Sequence, residues 1–190
     1  MSPVTHLLLG WLVAESSPLV RRERAAVAIA GIAPDTDGLG LLVDLVTKRS
    51  ATPTDCWGEW HHVLAHNLPA ALLMAGNAAV VATGGAARRS LVAGLATVAF
   101  LLHLVCDLTG SRGPDGHQVP IAWGWPLTAA TVTWDGQWAL NAWPNLLVTA
   151  TALAVVVALA WRRGRSPLEI VSLRADAAFI AAIRRRVPHH

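Results

Sequence analysis

A histidine and an aspartate stand four residues apart at the end of a long apolar run, and this pair limits what the chain can fold into. The run covers residues 91–105, and the pair is His103 and Asp107. Residues four apart lie on one face of an α-helix, so the two side chains point the same way. Burying an imidazole and a carboxylate without partners in an apolar segment is costly. We therefore expect the pair to share a common partner, such as a metal ion.

The composition indicates a helical membrane protein, with an unusually apolar soluble helical bundle as the alternative. Apolar residues make up 54% of the 190 residues and charged residues only 14%, against about 25% charged residues in soluble domains. The pI of about 9.6 does not indicate a nucleic-acid partner, because the basic residues do not form one surface interleaved with aromatic residues. Two cysteines are too few for a disulfide framework.

Five apolar segments predict an all-α fold, a multi-pass helical membrane bundle. They cover residues 4–14, 22–33, 59–82, 89–108 and 145–161. The last three have the roughly 17–25 residues that a membrane-spanning helix needs, whereas the first two are short. We expect residues 1–165 to form the membrane-embedded domain.

Residues 166–190 are expected to form a basic amphipathic C-terminal helix and tail. Ser166, Pro167 and Glu169 resemble an N-terminal helix cap that starts a helix over residues 167–186. This helix either lies on the membrane surface or packs against the bundle.

The basic residues are sorted to one side if each apolar segment crosses the membrane once. On that assumption, 12 of the 15 lysines and arginines share a face, and only Lys48, Arg49 and Arg112 lie opposite. The positive-inside rule makes the arginine-rich face cytoplasmic. The C-terminus is then cytoplasmic, and the histidines and aspartates lie near the outer face.

Histidine and aspartate recur at corresponding ends of four apolar segments, so antiparallel packing would gather them into one cluster. Imidazole and carboxylate ligands suit zinc, manganese or iron rather than calcium. More than four candidates indicate more than one ion, and paired metals can activate water and clamp a phosphoryl or carbonyl oxygen. The candidates are His6, Asp35, Asp37, His61, His62, His66, His103 and Asp107.

The third group of candidates leaves two pairings open. His62 and His66 are four residues apart, which suits one helical face, whereas His61 and His66 are five apart and about 140° around a helix. Helical spacing alone therefore favours His62 with His66.

Four motifs, in order, resemble those of the bacterial membrane-bound metal-dependent hydrolases of the YdjM type. They are THLL at 5–8, APDTD at 33–37, HHVLAHN at 61–67 and HLVCDLT at 103–109. The resemblance implies an inner-membrane hydrolase and favours His61 with His66, while His62, Ala65 and Asn67 replace the family's arginine, threonine and serine. A more distant likeness, to zinc-dependent phospholipase C and P1 nuclease, concerns the fold and says little about substrate. The metal or catalytic residues that the resemblance implies are His6, Asp35, Asp37, His61, His66, His103 and Asp107.

These observations predict a hydrolase that acts on an ester or phosphoester, with a small or lipid-like substrate and with membrane lipids as partners. Asp35 or Asp37 would bridge metals or act as general base. Arg112 would bind a phosphate or carboxylate of the substrate, or instead pair with Asp115. The alternatives are a non-catalytic metal-binding or ion-handling membrane protein and a soluble helical hydrolase.

A loop of residues 110–143 follows Asp107 and carries several tryptophans. Because tryptophan favours the membrane interface, the loop is expected to cover the site at the level of the lipid headgroups.

Overall fold

The fold is built from helices that run alternately between two chemically different ends. The structure is a computed structural model that describes residues 1–186, and in that range it contains eight α-helices, two 3₁₀ helices and no β-strand beyond two isolated bridges. The all-α prediction is confirmed. The α-helices are α1 (Pro3–Glu15), α2 (Arg21–Ile32), α3 (Gly40–Thr47), α4 (Cys56–Trp60), α5 (Leu68–Val81), α6 (Ala86–Gly110), α7 (Trp143–Arg163) and α8 (Leu173–Arg186).

The helices α1, α2, α5 and α6 pack against one another, and α7 packs on α1. Small residues fill much of the core, including Ala30, Ala78 and Ala96, all at most 2% exposed. Small side chains let helix backbones approach closely, which is how helices associate in a lipid environment.

The closest approach is between α1 and α2, at two glycines. A Cβ atom on Gly31 would lie 2.9 Å from the Cα of Gly10, and a Cβ on Gly10 would lie 3.0 Å from the carbonyl oxygen of Ala28. Neither position has room for a side chain without a backbone shift. This contact brings the start of α1, which carries His6, against the end of α2.

Three helical stretches are long and apolar enough to cross a membrane. They are Arg21–Thr47, Ala86–Gly110 and Trp143–Arg163. The first joins α2 to α3 through a 3₁₀ helix, Ala33–Leu39, so the second apolar segment is longer than the sequence pattern indicated. This result supports the multi-pass prediction.

The prediction of one long helix over residues 59–82 is wrong. Helix α4 ends at Trp60, and α5 begins only at Leu68 and has 14 residues. The side chain of Asn67 accepts a hydrogen bond from the Ala70 amide and caps α5, and His62 has a positive φ of 66°. A capping asparagine and a left-handed residue both interrupt a helix. The interruption turns residues 61–67 into the loop that carries three histidines.

At one end of the bundle, buried carboxylates are neutralised by arginines of the chain. Glu15 binds Arg163 and Arg165 at 2.6 and 2.8 Å. Glu169 binds Arg24 at 2.6 Å, and elsewhere at this end Glu23 binds Arg88 at 2.5 Å. We call this the arginine end.

The C-terminal region differs from its prediction in one respect. Ser166 caps a short 3₁₀ helix, Pro167–Ile170, and α8 starts later, at Leu173. Glu169 does not complete a cap, because its carboxylate is held by Arg24. Asp176 accepts hydrogen bonds from the amide and hydroxyl of Ser166, so α8 packs against the bundle. The end of the predicted tail, residues 187–190, lies outside the described residues.

Candidate metal centre

The carboxylate of Asp107 is the centre of the cluster at the other end of the bundle. Asp107 lies on α6, and its side chain is 3% exposed. Histidine nitrogens from three segments lie within 3.2 Å of its carboxylate oxygens. A fourth imidazole, that of His62, lies 3.6 Å away. The close nitrogens are Nε2 of His6, His66 and His103.

Two of these histidines are oriented by partners on their far side. His103 Nδ1 lies 2.8 Å from the carbonyl oxygen of Gly31, and His66 Nδ1 lies 2.9 Å from a carboxylate oxygen of Asp37. Both partners can only accept, so each Nδ1 donates its proton. In the neutral imidazoles Nε2 is then an unprotonated lone pair directed at the cluster. A histidine held in this way through its second nitrogen is typical of metal sites.

The Nε2 atoms of His66 and His103 face each other, so a proton or a metal ion must lie between or beside them. His103 Nε2 lies 3.1 Å from His66 Nε2, and both lie 3.1 to 3.2 Å from Oδ2 of Asp107. Three electron-rich atoms this close repel one another unless a proton or a metal ion compensates them. Burial disfavours the protonated form of His66, but its hydrogen bonds to Asp107 and Asp37 outweigh burial and raise its pKa to about 9. The α-ammonium of Met1 also contacts Oδ1 of Asp107.

Asp37 holds the histidine loop in place. Its two oxygens bind His61 Nδ1 at 2.8 Å, His66 Nδ1 at 2.9 Å and the Ala65 amide at 3.2 Å. The carboxylate therefore fixes the loop of residues 61–67 against the 3₁₀ helix after α2. Asp37 is placed to orient histidines rather than to bind substrate.

The structure brings both His61 and His62 to the cluster, so the ligand role of each stays a prediction. Because residues 61–67 are not helical, the spacing argument that set His62 against His61 does not apply. His61 faces Asp37, while His62, with its left-handed backbone, faces Asp107. Burial lowers the pKa of His62 to about 4, although the contact with Asp107 opposes this. His62 is thus neutral and able to bind a metal at pH 7.

The ligand atoms fall into three groups, each with its atoms within 4.8 Å of one another. Asp107 belongs to two of the groups, and His66 belongs to two. The groups are His6 with Asp35, His103 and Asp107; Asp37 with His61 and His66; and His62 with His66 and Asp107. All seven predicted metal ligands therefore come together, and His62 joins them.

The unsatisfied atoms of the site also fit a cation. Nδ1 of His6, Oδ2 of Asp35 and Nδ1 of His62 are buried, and none of them has a hydrogen-bond partner among residues 1–186. Buried polar atoms are nearly always paired, and imidazole nitrogens with carboxylate oxygens are the ligands that zinc, manganese and iron accept. The residues present therefore suit a divalent transition metal.

Two side chains of the cluster are partly exposed. The side chains of His6, His66 and His103 have no exposed surface, whereas those of Asp35 and His61 are 17% and 16% exposed. Asp35 and His61 are thus the most exposed residues of the three ligand groups.

Comparison with known proteins identifies the family of this chain. A family model described as YdjM inner membrane protein matches residues 1–185. The chain belongs to this family. No curated protein and no solved structure matches it, so the distant likeness to phospholipase C and P1 nuclease stays a prediction.

Within this YdjM-family chain, Arg112 lies outside the three ligand groups. Its guanidinium donates to the carbonyl oxygen of Asp135 at 2.9 Å, so the expected pairing with Asp115 is wrong. Asp115 instead accepts a hydrogen bond from the His117 amide. Arg112 lines an open, polar cavity of about 680 Å³ together with Gln118, His117 and Thr133.

The tryptophan-bearing loop is tied to the end of α6 and the start of α7. The side-chain amide of Gln137 donates to the carbonyl oxygens of Asp107 and Leu108, and the indole Nε1 of Trp138 donates to the side chain of Asn145. Trp134 and Trp143 remain exposed, at 43% and 73%. Their exposure is consistent with the expected contact with lipid headgroups.

We predict that replacing Asp107 with alanine removes the bound metal, because the carboxylate is shared by two ligand groups. Metal content of the detergent-purified protein, measured by mass spectrometry, should fall at least about tenfold. The matched control is His117→Ala, which removes an exposed histidine from the neighbouring loop and should leave the metal content unchanged. Equal metal content in the Asp107→Ala protein and the unaltered protein would contradict the assignment, provided that both elute as the same monodisperse species.

Proposed function

We propose that this protein is a membrane-bound hydrolase that cleaves an ester or phosphoester with a divalent ion, zinc first and manganese or iron as alternatives. The observation that supports this most is the convergence of the Nε2 atoms of His66 and His103 on the Asp107 carboxylate. A divalent ion in such a site supplies activation of water and polarisation of a phosphoryl or carbonyl oxygen. The shared ligands His66 and Asp107 favour more than one ion.

The chain's own residues have distinct roles in this proposal. Asp37 keeps His61 and His66 oriented, and the carbonyl of Gly31 does the same for His103. Asp35 is the general base, because it is the cluster's accessible carboxylate and its Oδ2 has no hydrogen-bond partner within residues 1–186. A base must lie within hydrogen-bond reach of the proton it takes, so the attacking water must lie within that reach of an Asp35 carboxylate oxygen.

Arg112 is proposed to bind an anionic part of the substrate. Its Nε is buried without a partner in the described part of the chain, and the guanidinium lines the polar cavity beside the site. Arginine matches phosphate and carboxylate groups in geometry as well as charge. A lipid-like substrate fits a site at the end of apolar helices with tryptophans beside it.

A non-catalytic metal-binding or ion-handling membrane protein is the second candidate. The near-complete burial of His6, His66 and His103 favours it, since a metal held there is shielded from large substrates. Catalysis requires room for a reacting group at the entrance. The two candidates differ in turnover and agree on metal binding.

The orientation proposed is a cytoplasmic arginine end and a metal centre near the outer face. The positive-inside rule supports it, because most of the basic residues lie at or beyond the arginine end. Green fluorescent protein fused to the C-terminus should fluoresce, and alkaline phosphatase fused there should be inactive. Alkaline phosphatase inserted at residues 48–52 should be active. The reverse pattern would contradict the orientation.

Activity is tested with Asp35→Asn, which keeps an oxygen ligand but removes the base. In the metal-loaded protein, turnover of phosphoester or ester substrates should fall at least about 100-fold, with metal content unchanged. Asp55→Asn is the control and should retain full turnover, because it makes the same change at an exposed carboxylate that caps α4 and lies outside the ligand groups and the cavity. If the metal-loaded unaltered protein hydrolyses no substrate in the panel, the second candidate is the better account. Unchanged turnover in Asp35→Asn would eliminate Asp35 as the base.

A further inference from the structure

An open groove runs along the outside of α2 at the arginine end, away from the metal centre. Its volume is about 650 Å³, and its exposed surface is mostly apolar. The groove is formed by α2, the end of α5 and the segment near Ile170. The apolar walls are formed by Val20, Ala25, Ala26, Ile29, Val81 and Ile170.

Two arginines stand at the start of this groove, on the first turn of α2. Arg21 uses Nε to donate to the carbonyl oxygen of Glu169, and its two terminal nitrogens have no partner in the described part of the chain. Arg22 has no hydrogen bond or ion pair with any residue in the range 1–186, and both side chains are exposed. Other arginines of this end, such as Arg24, Arg88 and Arg163, are bound to buried glutamates. The groove therefore retains positive charge that no carboxylate within residues 1–186 neutralises.

The position of these arginines matches the depth of a phospholipid headgroup. Arg21 is the first residue of the membrane-spanning candidate Arg21–Thr47, so it lies where the apolar part of that stretch begins. Ala25 and Ile29 follow on the same side of α2, one and two turns further into the apolar region. The hydroxyl-bearing Thr83 lies on the groove's other wall. A cationic start, a hydroxyl and an apolar continuation are complementary to a phosphate that carries acyl chains.

We infer that this groove binds an anionic glycerophospholipid, with its phosphate at Arg21 and Arg22 and an acyl chain along Ala25, Ile29 and Val81. Basic pockets between membrane helices recognise anionic headgroups. The lipid is a bound partner of the arginine end rather than a substrate, because the groove and the metal centre lie at opposite ends of the bundle. This inference does not depend on hydrolase activity.

The test is retention of phosphatidylglycerol by the full chain in detergent, measured by native mass spectrometry against phosphatidylcholine with the same acyl chains. Phosphatidylglycerol should be retained preferentially. Arg22→Ala should weaken its apparent affinity about fivefold, the effect of one cation near a membrane surface. Arg89→Ala and Arg162→Ala are the controls. They remove exposed arginines of the same end that do not line the groove, and they should leave the affinity unchanged.

A second pair of variants tests the proposed acyl-chain site without altering charge. Ala25→Leu fills the groove and should reduce phosphatidylglycerol retention, whereas Ala87→Leu, on an exposed part of α6 outside the groove, should not. Glycerol 1-phosphate is added as a competitor without acyl chains and should not displace the lipid. Equal retention of the two lipids, equal effects of Arg22→Ala and Arg89→Ala, or displacement by glycerol 1-phosphate would each overturn the inference.

Discussion

The buried carboxylate of Asp107 is the interaction on which the rest of the structure depends. Imidazoles from α1, the loop of residues 61–67 and α6 all contact it, and the end of α2 joins them through Asp35 and Asp37. An uncompensated charge at the end of apolar helices would cost several kcal/mol. The helices can therefore close at this end only when the carboxylate has found its partners.

The two ends of the bundle compensate their buried carboxylates with different chemical groups. At the arginine end, Glu15, Glu23 and Glu169 are neutralised by guanidinium groups of the chain, which are permanently charged. At the other end, the groups that contact the Asp107 carboxylate within residues 1–186 are imidazoles, the Ser111 hydroxyl and the α-ammonium of Met1. Imidazoles are neutral when unprotonated and then leave lone pairs for an ion. The first arrangement produces a fixed scaffold, and the second produces a site whose charge depends on what it binds.

Most of this site could be predicted from the sequence because its residues lie at helix ends or in short motifs. The spacing of four residues predicts that His103 and Asp107 act together. The recurrence of histidine and aspartate at matching ends of apolar segments predicts that His6, Asp35 and Asp37 join them. The family match and the helical fold agree with that reading. The metal's identity, the activity and the membrane orientation were expectations and remain proposals.

What the sequence pattern missed depends on backbone geometry. An apolar composition over residues 59–82 predicted one helix, but the Asn67 cap and the positive φ of His62 divide it. That division lets His61 and His62 reach different carboxylates, which no single helical spacing allows. The pairing of Glu169 with Arg24 likewise joins residues 145 positions apart, so the local pattern indicated a helix cap instead.

X-ray absorption spectroscopy of the purified protein at the metal edge tests the central claim most directly, because it reports the atoms bound to the ion. The account predicts a transition metal with only nitrogen and oxygen neighbours, at about 2.0–2.2 Å for zinc, and multiple-scattering features of imidazole. A sulfur neighbour at about 2.3 Å, or a metal without imidazole features, would contradict it.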